Sequence, residues 1–289
     1  DIMQMYIDEF VKVDPDDPRV GWVHVQYKAD RLGQRLKKEG IIVGSRMYAG
    51  RVDPFTLPST LNEMLTDRFY LNVDDTKAHQ TYMRLLTNIP EAKEVMDHFL
   101  RNPESVMQDV AQHYLSCVNN NAVKAVKQLF LSLGMDGKVS TWRRSHEVKE
   151  GVSEHPMVSK YAAIMPDVTE EFSLLPEGKR AIALIRQEFP DRQHPERTWK
   201  SFLLQEMEYV SLDAKASIAK KYDGYGSLEH DGLKLFRGDS LRRMTTNTLE
   251  NELSEAATQR IQDFAQGKYG RSDGEVRLRV KVKAASFDG

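Results

Sequence analysis

Arg237 is the residue whose type and placement point most directly to chemistry. It closes the apolar run Gly232-Leu233-Lys234-Leu235-Phe236 and precedes Gly238. A short strand should therefore present it at a rigid end, beside a glycine that lets a ligand approach the backbone. A planar guanidinium so held suits a phosphate or a carboxylate. His24 is the second candidate. Residues 21–28 (GWVHVQYK) alternate apolar and polar positions and predict a strand with Trp22, His24 and Gln26 on one face. Lys28 closes that strand, and Arg46 falls on a second strand expected over 41–48. Cys117 and His113 are spaced one helical turn apart. Nucleophilic cysteine chemistry needs a positively influenced helix start and an orienting third group. Cys117 falls late in an apolar helix instead, which predicts an inert thiol buried with Val110, Tyr114 and Val118. The eight histidines show no ligand-like pairing with carboxylates, so no metal site is expected.

Phe236-Arg237 is followed by Thr245-Thr246-Asn247-Thr248, a predicted helix and a predicted strand. Over residues 228–289 this order resembles the mono-ADP-ribosyltransferase toxins of the cholera and pertussis type. The resemblance implies NAD as cofactor, oriented by Phe236 and Arg237, with Thr245, Thr246 and Thr248 shaping the nicotinamide pocket. It implies an effector or toxin that modifies a protein acceptor, in the cytoplasm or after secretion into a host cytosol. The family's later glutamate has no counterpart, since Lys283 to Gly289 contain no acidic pair. Gly238-Asp239-Ser240-Leu241 spells the nucleophile block of the GDSL hydrolases, but no histidine follows His230 to complete a triad. The order around His24 is similar to effector phosphothreonine lyases. That likeness implies that His24 protonates a leaving phosphate while Lys28 or Arg46 acts as base or clamp. A third reading, from a different class, is a non-catalytic interaction module. The Met-rich, proline-punctuated helices between 90 and 221 could present a docking groove.

The elements that must position these residues predict a mixed α+β protein. Residues 1–90 read as a small α/β unit: strands at 21–28, 41–48 and 68–73, a helix over 29–39 stopped by Gly40, a short helix over 59–67, and a helix opened by Asp74-Asp75-Thr76. Residues 91–221 read as helical, with a loop or domain border at 135–160 and breaks at Pro166, Pro176, Pro190 and Pro195. Residues 222–289 read as strand, helix from about 249 to 266, and a strictly alternating strand, EVRLRVKVK, over 275–283. A chain of 289 residues with 29 % charged and 9 % aromatic residues can bury a sizeable core. With 41 basic against 43 acidic residues, the net charge of -2 leads us to expect no nucleic-acid partner. No apolar run approaches the ~20 residues that span a bilayer, so a soluble protein is expected. The single cysteine rules out an internal disulfide. A start at Asp1-Ile2-Met3 without a leader suggests a piece of a longer product.

Overall fold

The structure is a computed structural model and describes residues 27–28, 30–45, 48–49, 70–222, 226–229, 232–236, 241 and 243–283. Helix α1 (Arg31–Lys38) starts where Asp30 accepts the Gly33 N–H at 2.7 Å. It ends at Gly40, whose φ of +63° is the left-handed conformation that glycine adopts at least cost. Strands β1 (Tyr27–Lys28) and β2 (Tyr48–Ala49) pair antiparallel. Residues 41–45, expected in a strand, are irregular; Ile41 and Ile42 are nonetheless buried. The short helix expected at 59–67 lies outside the described residues.

Strand β3 (Tyr70–Thr76) runs three residues past its expected end. Asp74, Asp75 and Thr76, expected to open a helix, complete the strand, and α2 (Ala78–Leu86) begins only after Lys77 at φ 55°. The helix-capping tendency of aspartate loses here to an interior ion pair between Asp75 and Lys215. Helices α3 (Pro90–Arg101), α4 (Pro103–Leu115) and α5 (Asn120–Gly134) fill the expected helical stretch. The stretch 135–160, expected as a loop, contains α6 (Val139–Ser145). Trp142 anchors it by burying its ring and donating Nε1–H to Ala125 O at 2.9 Å.

Helix α7 (Pro156–Leu174) passes through Pro166, where a break was expected. A proline costs one ladder hydrogen bond. Tyr161, Met165, Val168 and Phe172, all fully buried, keep both halves on one core and offset that loss. Helices α8 (Pro176–Glu188) and α9 (Pro195–Lys221) follow. Proline opens α3, α4, α7, α8 and α9 at the first turn, where its missing N–H costs nothing. Phe99, Phe130 and Tyr161 meet with ring centroids 4.7–6.3 Å apart. Met96, Met107, Met157, Met165 and Met207, which suggested a docking groove, belong to this core.

Strands β4 (Gly226–Glu229), β5 (Gly232–Phe236) and β6 (Arg279–Lys283) join β3 in an antiparallel sheet of order β4-β5-β3-β6. The central strand thus comes from the stretch read as an N-terminal unit, and its neighbours from 222–289. A continuous core runs across the expected boundaries at 90 and 221. Strand β4 was not foreseen, and β6 starts four residues later than its alternation predicts. Val73, Leu233, Leu235, Val280 and Val282 are buried on one face of the sheet. Helix α10 (Thr246–Tyr269) closes the edge of β6. Ser254 Oγ accepts from Val280 N at 2.9 Å and Glu250 Oε1 from Val282 N at 2.8 Å. Satisfying those donors blunts an otherwise open strand edge.

The loop after α10 is tied to α2 and α3 through Asp273, which accepts from Arg84 Nη1 at 2.5 Å and Lys93 Nζ at 2.9 Å. Burial pushes the Asp273 carboxyl up, but the Arg84, Lys93 and Glu275 N–H contacts outweigh it and hold the group down, from 3.8 to about 2. A depressed carboxyl stabilises the folded state above its unfolded value and loses that contribution as pH falls through the folded one. Asp273→Asn should therefore lower the urea midpoint near neutral pH. The gap to wild type should close between about pH 4 and pH 2. A gap independent of pH would mean that the charge of Asp273 contributes nothing.

Candidate functional site at the β3 carboxylates

Two neighbouring carboxylates at the end of β3 have opposite fates, because successive strand residues face opposite sides of a sheet. Asp75 points inward. Tyr82 and Ser211 donate to its Oδ2 at 3.1 and 2.8 Å, and Lys215 Nζ stands 2.9 Å from Oδ1. Both ends of that ion pair are almost wholly buried, at 0 % and 2 % exposure. Asp74 points outward, its side chain 40 % exposed, and accepts from Lys283 Nζ at 2.6 Å. Across the sheet, Asp74 pairs in register with Gly232 of β5 and with Lys281 of β6. A Cβ on Gly232 would lie 2.8 Å from Asp74 Oδ1, so the carboxylate lies over the one residue type that leaves it room.

A cleft of about 380 Å³ opens beside this strand end, between α2 and α5. Lys77 lines it from the β3–α2 connection, His79 and Gln80 from the start of α2, Lys127, Phe130 and Leu131 from α5, and Phe99 and Met107 from α3 and α4. His79 Nε2 lies 2.8 Å from Glu208 Oε1 on α9, which fixes the ring at the rim. Lys77 donates to Met107 Sδ at 3.6 Å. Burial holds its ammonium below the usual lysine value; Glu104, 4.0 Å away, opposes that, and Lys127 and Lys281 add to it more weakly. The cleft's cations are Lys77 and Lys127, and its carboxylates are Glu208 and the inward, ion-paired Asp75. The strand end thus carries an exposed carboxylate, Asp74, on one face, and on the other a cleft whose Lys77 and Lys127 could meet a phosphate.

The residues singled out in the sequence are not gathered here. Phe236 is the last residue of β5, 39 % exposed and edge-on to Tyr70 at 5.8 Å; Arg237 lies outside the described residues. The threonine cluster begins α10: Thr245 Oγ1 accepts from Thr248 N at 3.2 Å, and the Thr245 and Thr248 hydroxyls are 2.8 Å apart, both exposed. Thr246 is the first residue of that helix. His24 and Arg46 lie outside the described residues, and Lys28 is on β1. Cys117 is not in a helix, because Ser116 turns left-handed at φ 54° and ends α4 at Leu115. The thiol is half-buried and Val118 is 53 % exposed, which corrects the expectation of a shared buried face. His113 instead bonds Ser153 O at 2.9 Å. Among the described residues no group of three or more His, Cys, Asp or Glu could hold a metal.

The sequence reading passed over Asp74, Lys77 and Lys127. A signal for Asp74 was present: an apolar run ending in acidic residues, Leu71-Asn72-Val73-Asp74-Asp75, and a second strand opened by Asp231-Gly232.

No protein-family model matches the chain, and no curated protein matches it in sequence. Among solved structures it is similar to the POL domain of Pol1 from M. smegmatis, described in complex with DNA primer-template and dNTP. The superposition covers 97 % of this chain and 50 % of that one, at 12 % identity and a TM-score of 0.54. The chain therefore spans half the length of that domain. The likeness is one of fold: the mixed α+β architecture described above, with no helix among the described residues long and apolar enough to cross a membrane.

Proposed function

We propose that this chain carries the catalytic face of a nucleic-acid polymerase and transfers a nucleotidyl group from a nucleoside triphosphate to a growing strand. The observation that carries the reading is Asp74, an outward carboxylate laid over Gly232 at the end of β3, just ahead in the chain of Asp75 and Lys77, which line the cleft. The fold shared with a primer-template-bound polymerase domain supports the same reading. Asp74 offers an exposed carboxylate to a divalent cation, and its ion-pair partner among the described residues, Lys283, is itself 63 % exposed. Such a cation, when bound, would neutralise the triphosphate and clamp the oxygens of an in-line displacement. Lys77 and Lys127 would hold the phosphates, and His79, fixed by Glu208, would border the bound nucleotide. In the transfer the 3′ oxygen bonds the α-phosphorus, the α–β anhydride breaks, pyrophosphate leaves and the hydroxyl proton passes to water. The balanced net charge argued against nucleic acid, but net charge does not report how charges distribute over faces.

The test is a titration of the chain with Mg²⁺ and a nucleoside triphosphate whose α–β bridge is methylene. Asp74→Asn should weaken Mg²⁺-dependent binding about ten- to hundredfold, the worth of one charge-assisted contact. Equal affinities, or no Mg²⁺-dependent binding by wild type, would remove the proposal. A second reading, NAD held at Arg237, has in its favour that β5 ends at Phe236, leaving Arg237 next in the chain. Titration with NAD in the same cell separates the two. Metal-independent heat abolished by Arg237→Lys would favour it, because lysine lacks the bidentate fork.

A further inference from the structure

The C-terminal run of alternating residues puts its cations on the face that carries Asp74. Val276, Leu278, Val280 and Val282 are buried, while Arg277, Arg279, Lys281 and Lys283 between them are exposed. Residues directly opposite in an antiparallel pair project to the same side. Arg279 faces Thr76, Lys281 faces Asp74 and Lys283 faces Asn72. The apolar side chains of β6 share the opposite, buried side with Val73 and Leu233, and α10 satisfies the outer N–H groups of Val280 and Val282. Arg279, Lys281 and Lys283 therefore form a straight row of exposed cations along β6, recurring every ~7 Å along the strand, while Lys234, on the same face opposite Asn72, is buried. Lys283 reaches Asp74, while Arg279 and Lys281 have no carboxylate within ion-pair distance among the described residues. A rigid linear row of cations matches a linear polyanion better than a single small anion, because each head can meet a successive charge.

We propose that the Arg279–Lys281–Lys283 row binds the sugar-phosphate backbone of a nucleic-acid strand and lays that strand alongside Asp74. The inference rests on the nucleotidyl-transfer reading and adds the surface that would bring the strand to the site. Contacts of this kind position a strand without reading its bases, so binding should be independent of sequence and steeply dependent on salt.

The experiment is fluorescence anisotropy of a labelled primer-template with a single-stranded overhang, in DNA and in RNA versions, across a salt series. The proteins are wild type, Arg279→Gln/Lys281→Gln, and a control of equal charge change on α8, Lys179→Gln/Arg186→Gln. The row variant should bind about tenfold more weakly at low salt and flatten the log–log salt slope by about 1.5, the loss of two phosphate contacts. The control should match wild type, and circular dichroism should show all three folded. Comparison of the DNA and RNA versions tells which backbone the row accepts. An unchanged slope in a folded row variant would overturn the inference, and so would parallel losses in row and control variants. The Mg²⁺–nucleotide titration on the same proteins keeps the two claims apart. Nucleotide binding with an unchanged slope would sink the row alone, and neither kind of binding would sink both.

Discussion

Replacing Lys215 by methionine should destabilise the protein by about 3–5 kcal/mol, because it leaves the Asp75 carboxylate buried without a counter-charge. Asp75 is 2 % exposed and Lys215 fully enclosed, so no solvent can take over the lost partner. Tyr82 and Ser211 would still donate to Oδ2, but two neutral hydrogen bonds do not offset a buried charge. The double variant Asp75→Asn/Lys215→Met should recover most of the loss, since removing both charges together removes the desolvation cost of each. Urea unfolding of the two single variants and the double, read as a cycle, measures the coupling. Additive effects would show that the pair contributes no more than its separate parts. The position matters for the site as well, because this pair holds the end of β3 in strand conformation and so aims Asp74 outward.

Glu206→Leu should cost a similar amount, about 3–5 kcal/mol, at a second buried charge on the same helix. Glu206 is fully buried on α9, where it accepts from Lys268 Nζ at 2.7 Å, Val43 N at 2.5 Å and the Tyr269 hydroxyl. Burial raises its carboxyl above the ordinary value, and Lys268, Tyr269 and the Val43 N–H oppose that rise. A leucine would strand three donors from two distant parts of the chain. Glu206→Gln keeps acceptor capacity and should cost less than about 2 kcal/mol. Hydrogen exchange gives an independent reading. The Val43 amide should lose protection in Glu206→Leu, while the β3 amides keep theirs relative to global stability. Unchanged protection at Val43 would mean that Glu206 does not fasten residues 41–45 to α9 and α10.

Much of the helical architecture was legible in the chain itself. Proline at first turns, Asp30 and Asn119 at caps and Gly40 past an end act through backbone geometry within a few residues, so they operate before any tertiary contact. The strict alternation of the last strand reported its buried face for the same reason: its period is a property of the pleat. Where local signals failed, a distant partner had outweighed them. Asp74-Asp75 reads as a helix start because aspartate caps helices, yet Lys215, far along the chain, draws Asp75 into the strand. Pro166 reads as a break, yet the core residues on both sides of it keep α7 continuous. The candidate site was the least legible part. Asp74 meets Gly232 and Lys281 only through a sheet joining strands from opposite ends of the chain, and Lys77 meets Lys127 only through the packing of α2 near α5. The sequence set residue types, caps and periods, which are local. Which carboxylate is buried, which faces outward and which cations surround it are properties of non-local pairing, so only the tertiary structure decided them.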